Sequence, residues 1–227
     1  MCGRYTQTAD PAELQTFFDA DQVEIEKLKA NYNITPTSDV YVVDELSGRR
    51  QLRVVKWGLI PAWQKDPNNA KPLINARSES VAEKPSFRDA FQTARAIVPA
   101  TGWYEWKTLG LDDGDRTKQP FYLSAVDSTP LAFAGILSAI KTENGWLRTM
   151  AILTVDACEE LSNVHDRMPV ILAEADWQKW LSPKSSVESL KQLFHPTEPG
   201  QMQIYPVSQT VNSNRASGAE LISKIEL

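Results

Sequence analysis

The sequence predicts a β-rich α+β fold, a curled sheet or barrel-like core with helices at its periphery. Three observations carry that expectation. Apolar segments of strand length recur between turn signals from Asp39 to Val155. Helix signals are fewer and lie near Asp10, Ser86, Ala173 and Val187. The 227 residues are 42% hydrophobic with seven Trp, enough to bury a substantial core. With no repeat, low-complexity tract or linker, residues 1–227 are expected to form a single domain.

Taken in order, Asp10-Pro11-Ala12-Glu13 opens a helix: Asp as N-cap, Pro at the first helical position, Glu at the third. Leu14, Phe17 and Phe18 give it an apolar face. Tyr32-Asn33-Ile34-Thr35-Pro36-Thr37 is a loop signal, because Pro36 biases Thr35 away from helix. Strands are expected at 39–43 and 51–57, joined at Ser47-Gly48. Residues 58–73, with Pro61, Pro67, Pro72 and an exposed Trp63, read as irregular. Ser86 is placed to cap a short helix through Phe87 and Phe91. Residues 96–107 read mostly as strand, and 110–119 as a polar loop. Further strands are expected at 120–125, 131–140 and 147–155, with Asn144-Gly145 as a hairpin turn. Helices at 173–181 and 187–194 and a last strand at 202–207 complete the chain.

Composition narrows the function. A net charge of −5 gives no global basic field, so any nucleic-acid partner must meet a local basic patch. Two cysteines form no disulfide framework and fit a reducing cytoplasm. The start lacks a charged region followed by an apolar one, so no signal peptide is expected. No apolar run approaches the roughly 18 residues that span a membrane. A cytoplasmic protein without a membrane partner is the expectation.

Cys2 stands behind an initiator Met and before Gly3, and removal of Met1 would make it the N-terminus. Its α-amine would then titrate near about 7.7–8.0 and its thiol near about 8.5. An aldehyde condenses with such an amine, and the neighbouring thiol closes a five-membered thiazolidine. The alternative is an incidental residue near a frayed terminus.

Glu105 lies in the aromatic run Trp103-Tyr104-Glu105-Trp106. Alternation places Trp103, Glu105 and Lys107 on one face and Tyr104 and Trp106 on the other. A carboxylate among rings could have a raised pKa and act as a general acid; on an edge strand it would be an ordinary surface Glu. His165, in His165-Asp166-Arg167-Met168-Pro169, is one of two histidines, and His195 at a helix end reads as structural. In Ile74-Asn75-Ala76-Arg77-Ser78-Glu79, extended geometry puts Asn75, Arg77 and Glu79 on one face. Arg77 could hold a phosphate and Asn75 a sugar or carbonyl, or the three could brace the core. Cys158 reads as a small hydrophobe at a helix start. No metal is expected, since Cys2, Cys158, His165 and His195 lack paired ligand spacing. Glycine-rich phosphate loops and G-x-S-x-G elbows are also missing.

Six ordered motifs bear a resemblance: Met1-Cys2-Gly3-Arg4-Tyr5, Tyr32-Asn33-Ile34-Thr35-Pro36, Trp57-Gly58, residues 74–79, Gly102-Trp103-Tyr104-Glu105-Trp106-Lys107 and residues 165–169. With the closing Gly218-Ala219-Glu220-Leu221-Ile222, the chain resembles the SRAP (SOS-response-associated peptidase) family over nearly its whole length. The resemblance implies a single SRAP domain that sheds Met1 by its own activity. It further implies that Cys2 crosslinks abasic sites in single-stranded DNA as a thiazolidine, with no cofactor and as a monomer. Peptidase and lyase-like activities belong to the same implication, as does nucleoid association in a bacterium. By motif, Glu105 would protonate the sugar ring oxygen, His165 would move protons at the Schiff base and in reversal, and Asn75 would orient the Cys2 amine. Arg4, Arg77 and Arg167 would hold phosphates and Thr154 would add a backbone contact, with Asn33 and Pro36 also along the DNA. Trp63 would stack at a single-strand/duplex junction. Bacterial relatives carry a second Trp where this chain has Gln64, and Lys84-Pro85 occupies the region of another basic residue.

Two other functions fit parts of the pattern. An N-terminal nucleophile amidohydrolase would use the Cys2 amine as base and thiol as acyl acceptor. A non-covalent single-strand-binding module would need only Trp63, Tyr104 and the arginines.

Overall fold

Alternating apolar residues separated by tight turns build thirteen strands among the described residues. The computed structural model describes residues 2–22, 27–67, 69–110, 116–198 and 200–227. The strands are β1 (Tyr5–Gln7), β2 (Asp21–Gln22), β3 (Asn31–Ile34), β4 (Asp39–Leu46), β5 (Arg49–Trp57), β6 (Asn75–Arg77) and β7 (Arg95–Ala100). They continue as β8 (Gly102–Gly110), β9 (Arg116–Ala125), β10 (Leu131–Thr142), β11 (Gly145–Asp156), β12 (Arg167–Pro169) and β13 (Met202–Pro206). Short helices flank them: α1 (Pro11–Phe18), α2 (Arg88–Thr93), α3 (Glu159–Ser162), α4 (Trp177–Leu181) and α5 (Val187–Lys191).

Five strands close on themselves. β11, β10, β7, β4 and β5 pair antiparallel in that order, and β5 returns to β11 in parallel, with Lys56 opposite Thr149 and Trp57 opposite Met150. Closure removes the free edges that would otherwise invite pairing with other chains. All six residues of β7 are buried. Its one charge, Arg95, is neutralised by geometry, with Nε donating to Trp180 O at 2.6 Å and Nη1 to Phe91 O at 2.6 Å. That side chain ties the ends of α2 and α4 to the barrel, using carbonyls a helix terminus leaves unpaired. The core interior stacks Tyr5, Trp57, Phe133 and Trp103, with Tyr5 and Trp57 ring centres 5.1 Å apart in an edge-to-face contact.

The second sheet runs β13-β9-β8-β1-β3. The expected continuous strand at 96–107 is two strands in two sheets: Thr101 turns the chain from the barrel into the second one. Gly102 is required there, since a Cβ would collide with the Tyr122 ring and the Leu123 carbonyl. A second, smaller core of Tyr104, Tyr122, Val207, Val211 and Leu221 lies on the other side of this sheet.

Several expectations are confirmed locally. Asp10 caps α1, accepting from Ala12 N–H at 3.0 Å, while Glu13 accepts from Asp10 N–H at 2.9 Å. The hairpin β10–β11 turns at Glu143-Asn144, with Gly145 at φ +110° opening the return strand. Cys158 is buried at the start of α3.

Other elements differ. Asn31–Ile34 is a strand, not a loop, because β1 supplies the partner a lone segment lacks. Ser86 does not cap α2; Phe87 occupies the N-cap without a side-chain bond. The expected helix at 173–181 begins as a 3-10 turn, Glu174–Asp176. The polar loop at 110–119 is shortened by pairing of Gly110 with Arg116, and residues 111–115 lie outside the described residues. No described helix is long and apolar enough to cross a membrane.

Candidate active site

The N-terminal segment is anchored, not frayed. β1 lies between β8 and β3, with Tyr5 opposite Trp103, and Tyr104 N–H donates to Arg4 O at 3.0 Å. The antiparallel register carries residues 2–4 back along β8 toward Glu105. Cys2 is fully buried in the same core as Trp103 and Tyr5. Asn75, on β6, donates from Nδ2 to Cys2 O at 2.8 Å. Its Oδ1 is buried and accepts no hydrogen bond, an acceptor left open beside the Cys2 main chain. Burial, and then the Glu105 carboxylate, push the Cys2 thiol well above its ordinary range. Met1, and with it the expected removal, lies outside the described residues.

Glu105 is 1% exposed. Burial raises its pKa to about 7, well above the usual carboxylate range. His165 Nε2 stands 3.8 Å from Glu105 Oε2, within electrostatic reach but beyond a direct hydrogen bond. Arg167 N–H donates to His165 Nδ1 at 3.0 Å, which puts the proton of a neutral ring on Nε2, facing Glu105. Asp166 Oδ1 also sits 2.9 Å from Nδ1, a contact that needs a proton on that atom. The two contacts exclude each other in the neutral ring. Burial lowers the His165 pKa and so favours the amide bond, while the Asp166 side chain, 86% exposed, is hydrated.

Glu105 and His165 open into a cleft of about 800 Å³ lined also by Arg4, Trp106, Lys107, Lys118 and Asn212 among others. Cys2, Asn75, Glu105 and His165, predicted from separate motifs, form a chain of neighbours: Asn75 bonds Cys2, the Glu105 carboxylate acts on the Cys2 thiol, and His165 faces Glu105. Lys107, Lys118 and Asn212 belong to the cleft and were not singled out as site residues. Lys107 lies inside a quoted motif, whereas Lys118 enters only through its pairing opposite Thr108.

The arginines divide. Arg77 is exposed on β6, two residues from Asn75. Arg4 is engaged: Nη1 donates to Asn33 Oδ1 at 3.1 Å and to Val211 O, and Nη2 to Asn214 Oδ1 at 2.8 Å. Arg167, 8% exposed, gives its guanidinium to Glu79, Asp156 and, at 2.6 Å, Thr154 O. The phosphate role expected of Arg167 meets a side chain whose donors face the protein. Thr154 is fully buried, and its carbonyl also accepts from Ser78 N–H at 2.9 Å, which leaves the expected backbone contact already occupied. Asn33 is buried and donates to Ser213 O and Ala216 O, so it fastens the C-terminal segment and aims Arg4. Pro36 is half-buried beside Thr37, whose N–H bonds Trp57 O. Trp63 is 61% exposed but lines a separate depression with Pro61, Pro85 and Ser86, outside the cleft. Among the described residues no three His, Cys, Asp or Glu side chains converge in a group that could hold a metal.

The family model described as SOS response associated peptidase (SRAP) matches residues 1–214. The abasic site processing protein YoaM of Bacillus subtilis is 36% identical over 225 residues, covering 98% of this chain and 97% of its own. The abasic site processing protein YedK of Escherichia coli is 30% identical, covering 99% and 100%. A solved protein of Bacteroides thetaiotaomicron superposes with a TM-score of 0.88 at 24% identity, covering 99% of this chain, which establishes likeness of fold. This chain belongs to the SRAP family.

Proposed function

We propose that the protein processes abasic sites in DNA by forming a covalent crosslink through Cys2 once Met1 has been removed. The observation that carries this reading is the convergence on Cys2. Asn75 holds its main chain, and a carboxylate with a pKa of about 7 and a neutral imidazole face each other in the adjoining cleft. An aminothiol served by a proton donor and a proton shuttle suits an aldehyde substrate, and the ring-opened abasic deoxyribose is one. Relatives of this chain are named abasic site processing proteins.

Neutral Glu105 gives its proton to the deoxyribose ring oxygen as the C1–O bond breaks, and the C1 hydroxyl proton passes to water, which frees the aldehyde. The Cys2 amine adds to that carbon, water leaves, and a Schiff base forms. The thiol then adds to the same carbon, its proton passing to nitrogen, and the thiazolidine closes with one water lost overall. The Cys2 thiol is neutral while buried, so the amine attacks first and the thiol waits for the imine. His165 Nε2 carries protons between these steps and, in reverse, reopens the ring. Asn75 Oδ1 takes a hydrogen bond from the freed amine. Arg77 meets a flanking phosphate, Trp63 stacks on a base further along a single strand or at a junction, and Pro36 contributes to the wall. Arg4, Asn33, Thr154 and Arg167 hold this frame. A monomer suffices, because one chain supplies every group named.

Intact mass after mixing with a single-stranded oligonucleotide carrying one abasic site tests the reading. The expected result is an adduct of protein lacking Met1, absent with undamaged DNA and absent in Cys2→Ala. No adduct from Met1-free protein would overturn it.

A further inference from the structure

The lining of the cleft includes two lysines to which the resemblance gives no phosphate role. The terminal guanidinium nitrogens of Arg4 donate to Asn33, Val211 and Asn214, and those of Arg167 to Glu79, Asp156 and Thr154. Lys107 and Lys118 also belong to the site region, and among the described residues neither ammonium is in an ion pair. β1 pairs with β8 at Gly102 and Trp103 and bonds it once more through Tyr104 N–H to Arg4 O, and beyond Glu105 no described strand pairs with β8 on that side. By alternation Glu105 and Lys107 lie on one face of the β8–β9 ribbon, and Trp106, Thr108 and Lys118 on the other. The cleft therefore runs beside this stretch of β8 with a lysine from each face of the ribbon in its lining. Trp106 is half-buried there, its Nε1 donating to Asn212 Oδ1 at 2.7 Å and its ring 5.8 Å beneath the Arg4 guanidinium. That platform is fixed in place and presents a ring to the cleft.

We infer that Lys107 and Lys118 form a phosphate subsite on the β8–β9 ribbon that holds the nucleotides on one side of the lesion, opposite Arg77 on the other. The inference rests on the abasic-DNA reading and adds the path of the strand: past Arg77 and Asn75, over Cys2, then along the edge of β8. Arg4 acts as a positioning residue for Trp106, and Arg167 as one for His165.

The test uses Cys2→Ala protein, so that binding is not trapped covalently, and a labelled single strand with a tetrahydrofuran abasic analogue at its centre. Affinity is measured by anisotropy across a salt series. Each single-strand phosphate contact contributes about 0.7 to the slope of log K against log salt. Adding Lys107→Ala and Lys118→Ala together is expected to weaken binding at least tenfold and lower that slope by about 1.4. Shortening the strand on one side of the analogue, and not the other, should reproduce the loss in the parent and change nothing further in the double variant. An unchanged slope in the double variant, with the parent binding normally, overturns the lysine subsite alone. Failure of the parent to bind at any salt overturns the DNA reading and the subsite with it.

Discussion

Two carboxylates near the cleft meet opposite fates. Glu105 is 1% exposed, and burial raises its pKa to about 7. Glu79, whose side chain is 51% exposed, is held below the usual carboxylate range, first by hydrogen bonds from Arg167. One group is desolvated beside a weakly basic imidazole, and the other is paired with a guanidinium while keeping its water. The first is shifted toward its neutral acid form and the second toward an anion that braces a buried cation. The same side-chain chemistry thus takes opposite titration behaviour through burial and the identity of the facing cation.

The strongest way to break this contrast is at Glu105. Glu105→Gln keeps the shape and removes the proton, and crosslink formation should slow by about 10²-fold or more in single-turnover gels. An unchanged rate would remove Glu105 from the chemistry. In the parent, the rate should decline as pH rises through about 7, because the neutral acid is the donor. His165→Ala should slow crosslink reversal more than formation, by about 10-fold or more, when release is followed after trapping.

Arg167→Ala probes the scaffold half. It removes donors from Glu79, Asp156 and the Thr154 carbonyl, and we expect a loss of about 1–3 kcal/mol in denaturant unfolding. Its effect on chemistry should appear in the pH profile, since the His165 loop that Arg167 anchors would loosen. A variant with parental stability and a parental profile would contradict the brace.

Stability against pH separates the two acids by sign. Glu105 is raised in the folded state, so its contribution is complete below the ordinary Glu pKa and is lost as pH climbs toward about 7. Glu105→Gln should flatten that fall, worth a few kcal/mol at most, about 1.4 per unit of pKa difference. Glu79 is lowered, so its contribution is present above the ordinary Glu pKa and is lost only as acid protonates it in the fold. Glu79→Gln should therefore cost less than about 1 kcal/mol at neutral pH and nothing in acid, with salt shrinking the difference. Melting curves between pH 3 and 8 would expose a reversed order. The pH values here span the two titrations, roughly the range in which folded-state carboxylates differ from free ones.

Much of the fold and part of the site were legible in the residues themselves. The capping box of α1, the hairpin at Glu143-Asn144-Gly145 and the long strands of β10 and β11 follow from local chemistry: a side chain bonding its own backbone, a glycine at positive φ, and a period of two. The place of Cys2 directly behind Met1 and the aromatic setting of Glu105 were equally visible, because each depends on neighbours in the chain. Tertiary structure alone decided the rest. Parallel pairing of β5 with β11, which closes the barrel, and the partners that make Asn31–Ile34 a strand join residues far apart in sequence. The occupation of Arg4 and Arg167 and the arrival of Lys118 at the cleft have the same origin. Sequence records which charges exist; the fold determines which of them are spent on one another and which still face the solvent.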